Sequence, residues 1–590
     1  MQTRMLQDLR IAYRAIFAFA RTAQLPFQPT IHHPQFLAVL LVITIFSASS
    51  FAADLKESRQ QLRSGQLEAC IASSHEAIQK GFYGDSWPVL KANAEWTLGR
   101  YEAATITVSE GLERYPWSVR LKLIAHRCAL FQNDPEAAQQ HLADIDQLAA
   151  RSPWRYSNVE NLISLGEAAL LLGADARTVL EAFFDRAKQQ GPERVEPYLA
   201  SGNLALQKHD HELAAEIYQA AVKKFPNNAD IQFGLAQSVR RSHPEISIAA
   251  IQKIEELNPK HIDTRLFQID SLIDSEQFQE AEELLGQVLE INDRHPTVWA
   301  YKTVIAHLQN DPKGETLYRA AALRDWPSNP EVDHLIGKKL SQHYRFTEGA
   351  AYQKQALAFN PKYLLAKIQL SQDLLRLGKD TKGWQLVEDA HESDGYDVVT
   401  FNLLELKDEL SKFRTLEDKH FIVRMSALEA EVYGQQVLSL LNEARTVLCE
   451  KYELKIEDQI TVEIFPNPSD FAVRTFGVPA VSGYLGVCFG KVITANSPAS
   501  QGEYPANWKS VLWHEFCHVV TLEITKNKMP RWLSEGISVY EELQANPAWG
   551  QSMNGDYREM ILGGELTPVS QLSSAFFLSK IFYAHSVRLF

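Results

Sequence analysis

Cysteine is scarce and unpatterned in this sequence. Cys70, Cys128, Cys449, Cys488 and Cys517 are the five in 590 residues. An odd number with no Cys-x-x-Cys pair excludes a zinc ribbon and a dense disulfide framework. Small, buried, apolar side chains are their expected role, and no obligatory disulfide is expected. Positive charge is short as well: 59 Lys and Arg stand against 73 Asp and Glu, a net charge of −14. That balance does not grip phosphate backbones or anionic lipid, so nucleic acid is not an expected partner. Long hydrophobic runs are missing too. Only residues 36–46, FLAVLLVITIF, are continuously apolar apart from Thr44, which is too short to span a bilayer comfortably. With 45% hydrophobic and 22% charged residues the chain is not disordered, and its length requires more than one folding unit.

The short apolar run has its own signature. It is followed by SASSFAAD, with the small residues Ser50 and Ala52 at the two positions a signal peptidase inspects, and preceded by Arg4, Arg10, Arg14 and Arg21 against Asp8. Residues 1–52 therefore read as a signal peptide cleaved after Ala52, or as an uncleaved signal anchor. Either implies export, to a periplasm, a cell envelope or the medium, with membrane contact only if the leader stays. Removing it takes away four positive charges and one negative, leaving −14 − 3 = −17.

From about residue 54 to about 412 the sequence is periodic. Pro192, Pro226, Pro259, Asp293, Pro327, Pro361 and Gly395 recur at a near-constant interval of about 34 residues. Within the unit ending at Pro226, Gly202, Ala214, Tyr218 and Ala221 stand where two antiparallel helices need small residues at their crossing and an aromatic beside it. Ala281, Gly349 and Gly383 repeat the first small position, and Ala322, Ala356 and Ala390 the second. Leu98 to Ala104, LGRYEAA, with Pro116, is an earlier copy, set out of phase by an insertion near Pro153. This pattern resembles the tetratricopeptide repeat, with about eight copies. The resemblance implies an α-solenoid of helical hairpins whose concave face takes a protein or peptide partner. The bland alternative is a spacer, and residues such as Tyr198 and Trp299 are expected to be core.

After about Phe413 the period stops. HFIVRMS (420–426) and QITVEIFP (459–466) read as strands with a helix over 428–452 between them, and SGYLGVCFGKVITANSP (482–498) as a further strand or hairpin. WKSVLWHEFCHVVTLEI (508–524), free of Pro and Gly, reads as a buried helix. It carries His514, Glu515 and His518 as H-E-x-x-H: residues four apart share a helix face, so both imidazoles reach one metal while Glu515 stands one step around. MPRWLSEGISVYEE (529–542) then supplies a Pro-led turn and a second helix with Glu535. A carboxylate there completes a His, His, Glu site with an open fourth position, the arrangement of catalytic zinc.

H-E-x-x-H followed by W-L-x-E-G resembles the gluzincin metallopeptidases, and 465–542 is similar to the peptidase MA-like family. The resemblance implies an α+β zincin-like domain over 413–590, with zinc held by His514, His518 and Glu535 and with Glu515 as general base in peptide-bond hydrolysis. It also implies an oxyanion donor, for which Tyr583 is the candidate, with Tyr540 and His585 behind it, and a substrate-holding strand, best matched by residues 483–487. Cys517 is expected in the core rather than on the metal. Glu541 and Glu542 either orient a ligand imidazole or are solvated helix charge, and Trp532 and Leu533 anchor their helix. The chain ends in AHSVRLF, apolar to the last position, where the resemblance implies further helices, so a C-terminally shortened domain is expected. The rival reading is a repeat scaffold whose degenerate domain keeps zinc without hydrolysis. A pure interaction protein, with a coincidental motif, is the third.

Overall fold

The computed structural model describes residues 55–575 apart from 480, 482, 504, 550–553 and 565–566. The leader over 1–52, Tyr583 and His585 lie outside these residues. No helix among the described residues is long and apolar enough to cross a membrane. The chain is mostly helical and forms two compact units. One runs to Phe267 and includes Leu284–Val298 and Ala321–Pro327; the other comprises Gln268–Glu283, Trp299–Ala320 and everything from Ser328.

The first unit consists of helical hairpins whose crossings are built around small residues. Tyr218, on the helix His211–Lys224, is fully buried with its ring between Gly202 and Gly234. A methyl at Gly202 would come within 2.4 Å of that ring and one at Gly234 within 2.1 Å. The phenol donates to Asn203 Oδ1 at 2.6 Å, so the ring is buried with its polar atom satisfied.

The unit also touches itself at long range. Asn258 Nδ2 donates to Arg63 O at 3.1 Å, and a methyl on Gly65 would fall 2.3 Å from Asn258 Oδ1. One repeat later, Asn292 Nδ2 donates to Tyr101 Oη at 3.1 Å, and Gly99 stands against Asn292 Oδ1 in the same way.

Most of the hairpin turns place one residue in the left-handed region. Gly65, Gly99, Asn133 and later His209 take it in the first unit, and Glu276, Asn310, Tyr344 and Gly378 take it at successive repeats of the second. A side chain in that conformation costs roughly 1–2 kcal/mol, least for Asn, so Gly and Asn are the natural occupants and Tyr344 is not.

In the second unit, helical hairpins continue to the helix Val398–Leu410, and a five-stranded sheet follows. Its strands are β1 (Arg414–Glu417), β2 (Phe421–Met425), β3 (Ile460–Phe465), β4 (Gly486–Cys488) and β5 (Val492–Asn496). They lie in the order β1-β2-β3-β5-β4. β2, β3 and β5 are parallel, and β1 and β4 run antiparallel to their neighbours at the two edges.

Side-chain alternation gives the sheet two buried faces. Phe421, Val423, Met425, Ile460, Val462, Ile464 and Ile493 pack with the helix Ala427–Lys451 and the motif helix Trp508–Thr525. On the other face, Phe465, Val487 and Val492 share a core with Phe346, Ile368, Val387 and Leu403 of the hairpins. The polar residue on that face is paired. Glu463, 1% exposed, accepts from Arg474 Nε at 2.6 Å and Arg424 at 3.0 Å, and Arg424 also reaches Asp380. The hairpins and sheet of this unit are thus one hydrophobic body.

Candidate metal centre

The motif helix is capped by Asn507, whose side chain accepts from Lys509 N, and ends at Lys526 and Asn527, both left-handed. Apolar residues surround the motif: Trp513, Phe516, Cys517, Val519 and Val520 belong to the sheet core. Cys517 is fully buried there, with its thiol pushed up to about 12 by burial. The second helix, Arg531–Ala545, starts after Pro530, and its buried face is Ser534, Ser538 and Glu541. Packing of the two helices brings Glu535 to the histidines.

His514 Nε2 and His518 Nε2 are 3.0 Å apart, and Glu535 Oε2 is 3.2 Å from the first and 3.4 Å from the second. Among the described residues, this is the one group of His, Cys, Asp and Glu whose donor atoms converge in this way. A tetrahedral centre with bonds of about 2.0–2.1 Å spaces its ligand atoms about 3.3–3.4 Å apart, so the triangle fits a zinc ion.

The surroundings fix the tautomers. Glu542 Oε1 lies 2.6 Å from His514 Nδ1 and accepts from Nδ1–H, which turns Nε2 toward the centre. Ser510 Oγ donates to the other oxygen of Glu542. For His518, the order follows from a carbonyl. Thr521 Oγ1 donates to His518 O, so it accepts from Ser534 Oγ at 2.9 Å, and Ser534 in turn accepts from His518 Nδ1–H at 2.9 Å. Ser538 Oγ lies 3.2 Å from the same nitrogen.

The charges follow from this packing. Burial pulls the His514 imidazole down, but its hydrogen bonds with Glu535 and Glu542 outweigh that and hold it up at about 10 in the metal-free protein. His518 is lowered by burial, only partly offset by Glu535. Burial works against ionisation of Glu535 too, yet His518 and the hydrogen bonds from both histidines hold its carboxyl well below the ordinary range.

Glu515, 5% exposed, is pushed up to about 8 by burial, eased by His514 and reinforced by Glu535. Its Oε2 is buried with no hydrogen-bond partner among the described residues. Its Oε1 lies under β4: a methyl on Gly486 would fall 2.6 Å away. β4 is the sheet edge, and it lies within the segment 483–487 together with Cys488. Two imidazoles and a carboxylate, beside a buried carboxyl lacking a partner, suit a cation that displaces the His514 Nε2 proton and acts on water.

The remaining sequence candidates divide. Glu542 reaches a ligand imidazole. Glu541 is not solvated helix charge: it is 2% exposed, and its carboxylate accepts from Lys451 Nζ at 2.7 Å and Tyr452 Oη at 2.6 Å, which removes it from the site. Tyr540 is 53% exposed, with the Lys451 ammonium 5.1 Å from its ring, and is not at the centre. Sequence reading missed Ser510, Ser534, Ser538 and Arg531, whose Nε lies 3.6 Å from Glu535 Oε1. Ser534 and Ser538 were visible as serines four apart flanking Glu535 on a helix that otherwise reads as apolar and charged.

A tetratricopeptide-repeat family model matches residues 199–243, which contain Gly202, Tyr218 and Gly234. That segment is similar to the tetratricopeptide repeat. No curated protein matches the chain in sequence. Among solved structures, the crystal structure of the yeast Tom70 aligns with a TM-score of 0.31 and 13% identity, covering 68% of this chain and 97% of that one. Tetratricopeptide repeats generally serve as scaffolds that bind protein partners.

Proposed function

We propose that the chain is an exported zinc metallopeptidase of gluzincin type, with a zincin-like domain over 413–590 hydrolysing peptide bonds and a tetratricopeptide array over 54–412 binding a protein or peptide. The observation that carries this reading is the triangle of His514 Nε2, His518 Nε2 and Glu535 Oε2, 3.0–3.4 Å on a side, beside the unpartnered Glu515 carboxyl. His514, His518 and Glu535 would hold the ion. Zinc held there supplies Lewis acidity, which polarises a carbonyl and makes water nucleophilic near neutral pH.

The protein does the rest. Glu542, Ser534 and Ser538 hold the imidazoles in the tautomers that present Nε2. Glu515 takes a proton from water at Oε2 and returns it to the leaving amine nitrogen; a carboxyl whose burial raises its affinity for a proton is suited to both halves of that exchange. β4, as an edge strand with Gly486 against Glu515, accepts an extended substrate by strand addition and sets a peptide carbonyl beside the base.

Elemental mass spectrometry of the purified chain should give one zinc per molecule, lost in His514→Ala and kept in Glu515→Gln. A peptide library should be cleaved by the wild type, and about 10²–10⁴-fold more slowly by Glu515→Gln. A wild-type chain without zinc sinks this reading. Zinc without hydrolysis leaves a repeat scaffold with a metal site.

A further inference from the structure

The hairpin turn at residues 343–345, between the helices Pro330–Gln342 and Phe346–Phe359, ends against the C-terminus of the motif helix. Asn527 Nδ2 donates to Tyr344 O at 2.6 Å, and the buried Arg345 donates to Lys526 O at 2.9 Å. The preceding turn docks nearby, with Lys528 Nζ donating to Asn310 Oδ1 at 2.7 Å.

Tyr344 is the residue held in the left-handed conformation at this turn, with φ +64°. The equivalent positions in other repeats carry Gly, Asn, His or Glu, and a bulky aromatic is poorly suited to that backbone. This strained backbone lies at a turn that docks on the end of the motif helix. The Tyr344 ring packs against the motif-helix core. The guanidinium of Arg531, itself beside Glu535, sits 4.9 Å from the ring centroid. Arg531 thus stands between the Tyr344 ring and the Glu535 carboxylate. Backbone strain kept at a functional position is how folds retain a side chain they would otherwise replace.

We propose that Tyr344, supplied by the tetratricopeptide array, is a catalytic residue of the peptidase: its phenol donates a hydrogen bond to the scissile carbonyl oxygen as that oxygen becomes a tetrahedral oxyanion. The assignment rests on the zinc-peptidase reading above. It makes the array part of the active site rather than an attached binding module, with Arg531 positioning the ring.

The test is Tyr344→Phe in the full chain, which keeps the ring beside Arg531 and deletes one oxygen. Zinc content and melting temperature should match the wild type. The kcat should fall about 10²–10³-fold, the range for loss of one oxyanion donor, with KM changed less than about threefold. Calorimetric affinity for a phosphinic peptide, whose tetrahedral oxygens imitate the oxyanion, should fall in parallel. If the wild type hydrolyses peptides and Glu515→Gln does not, while Tyr344→Phe keeps wild-type kcat and phosphinate affinity, the role of Tyr344 is overturned and the zinc reading stands. If the wild type holds no zinc and does not bind the phosphinate, both fall.

Discussion

Tyr218 in the repeats and Glu515 in the motif helix are both buried side chains admitted by glycine, and they differ in one respect. Tyr218 lies between Gly202 and Gly234 and donates its only polar hydrogen to Asn203. Glu515 lies under Gly486 and keeps an oxygen with no partner among the described residues. A buried polar atom left unmet costs about 1–3 kcal/mol. A buried carboxyl left unmet, beside a converging ligand set, marks where the chain gives up stability for chemistry. Glu463 supplies the contrasting carboxylate. It is just as buried, and two arginines pair it.

Removing a partner from that pair should do the most damage. Glu463→Gln leaves Arg474 buried without its counter-charge, and urea unfolding of the second unit should show a loss of about 3–5 kcal/mol with zinc content unchanged. An unperturbed midpoint would make Glu463 no more structural than Glu515. Filling the repeat crossing comes next. Gly234→Ala puts a methyl into the Tyr218 ring and should cost about 1–3 kcal/mol, read as a lower melting temperature with peptide hydrolysis intact. Glu542→Gln should weaken zinc about 10–100-fold by competition with a chelator, because the His514 tautomer loses its carboxylate; unchanged affinity would reduce Glu542 to surface charge. The smallest effect is the sharpest discriminator. Glu515→Gln should change stability by less than about 1 kcal/mol, since the neutral amide removes a carboxyl that the fold does not satisfy.

Much of this was legible in the sequence, for reasons that differ by region. The repeats are local and periodic, so Gly202, Tyr218 and the Pro and Gly spacing announce helical hairpins before any contact is known. β2 and β3 announce themselves as short β-branched and apolar runs, and the β4–β5 hairpin by the glycines among its apolar residues. H-E-x-x-H works because a helix puts residues four apart on one face, and His514 and His518 do meet. β1 was not visible: its four residues are mostly exposed and carry no alternation. Tyr344 was not visible either. It lies far upstream of Glu515 in the chain, and its signal, a bulky aromatic at a turn position that elsewhere carries Gly, Asn, His or Glu, acquires meaning only once that turn is seen against the motif helix. Glu541 and Glu542 are adjacent in sequence and alike in charge, and only packing separates a partner of Lys451 from a partner of His514.

The paired contacts of Asn258 with Arg63 and Gly65, and of Asn292 with Gly99 and Tyr101, bear on how the array comes apart. A stack in which each repeat meets only its neighbours behaves as a one-dimensional chain, free to fray from either end. Two contacts that join residues 195 and 191 positions apart close that chain into a loop. Their formation waits on the repeats between them, which raises contact order and slows folding. Once formed, they leave the first repeats no free end, so this unit should melt as one cooperative block rather than repeat by repeat.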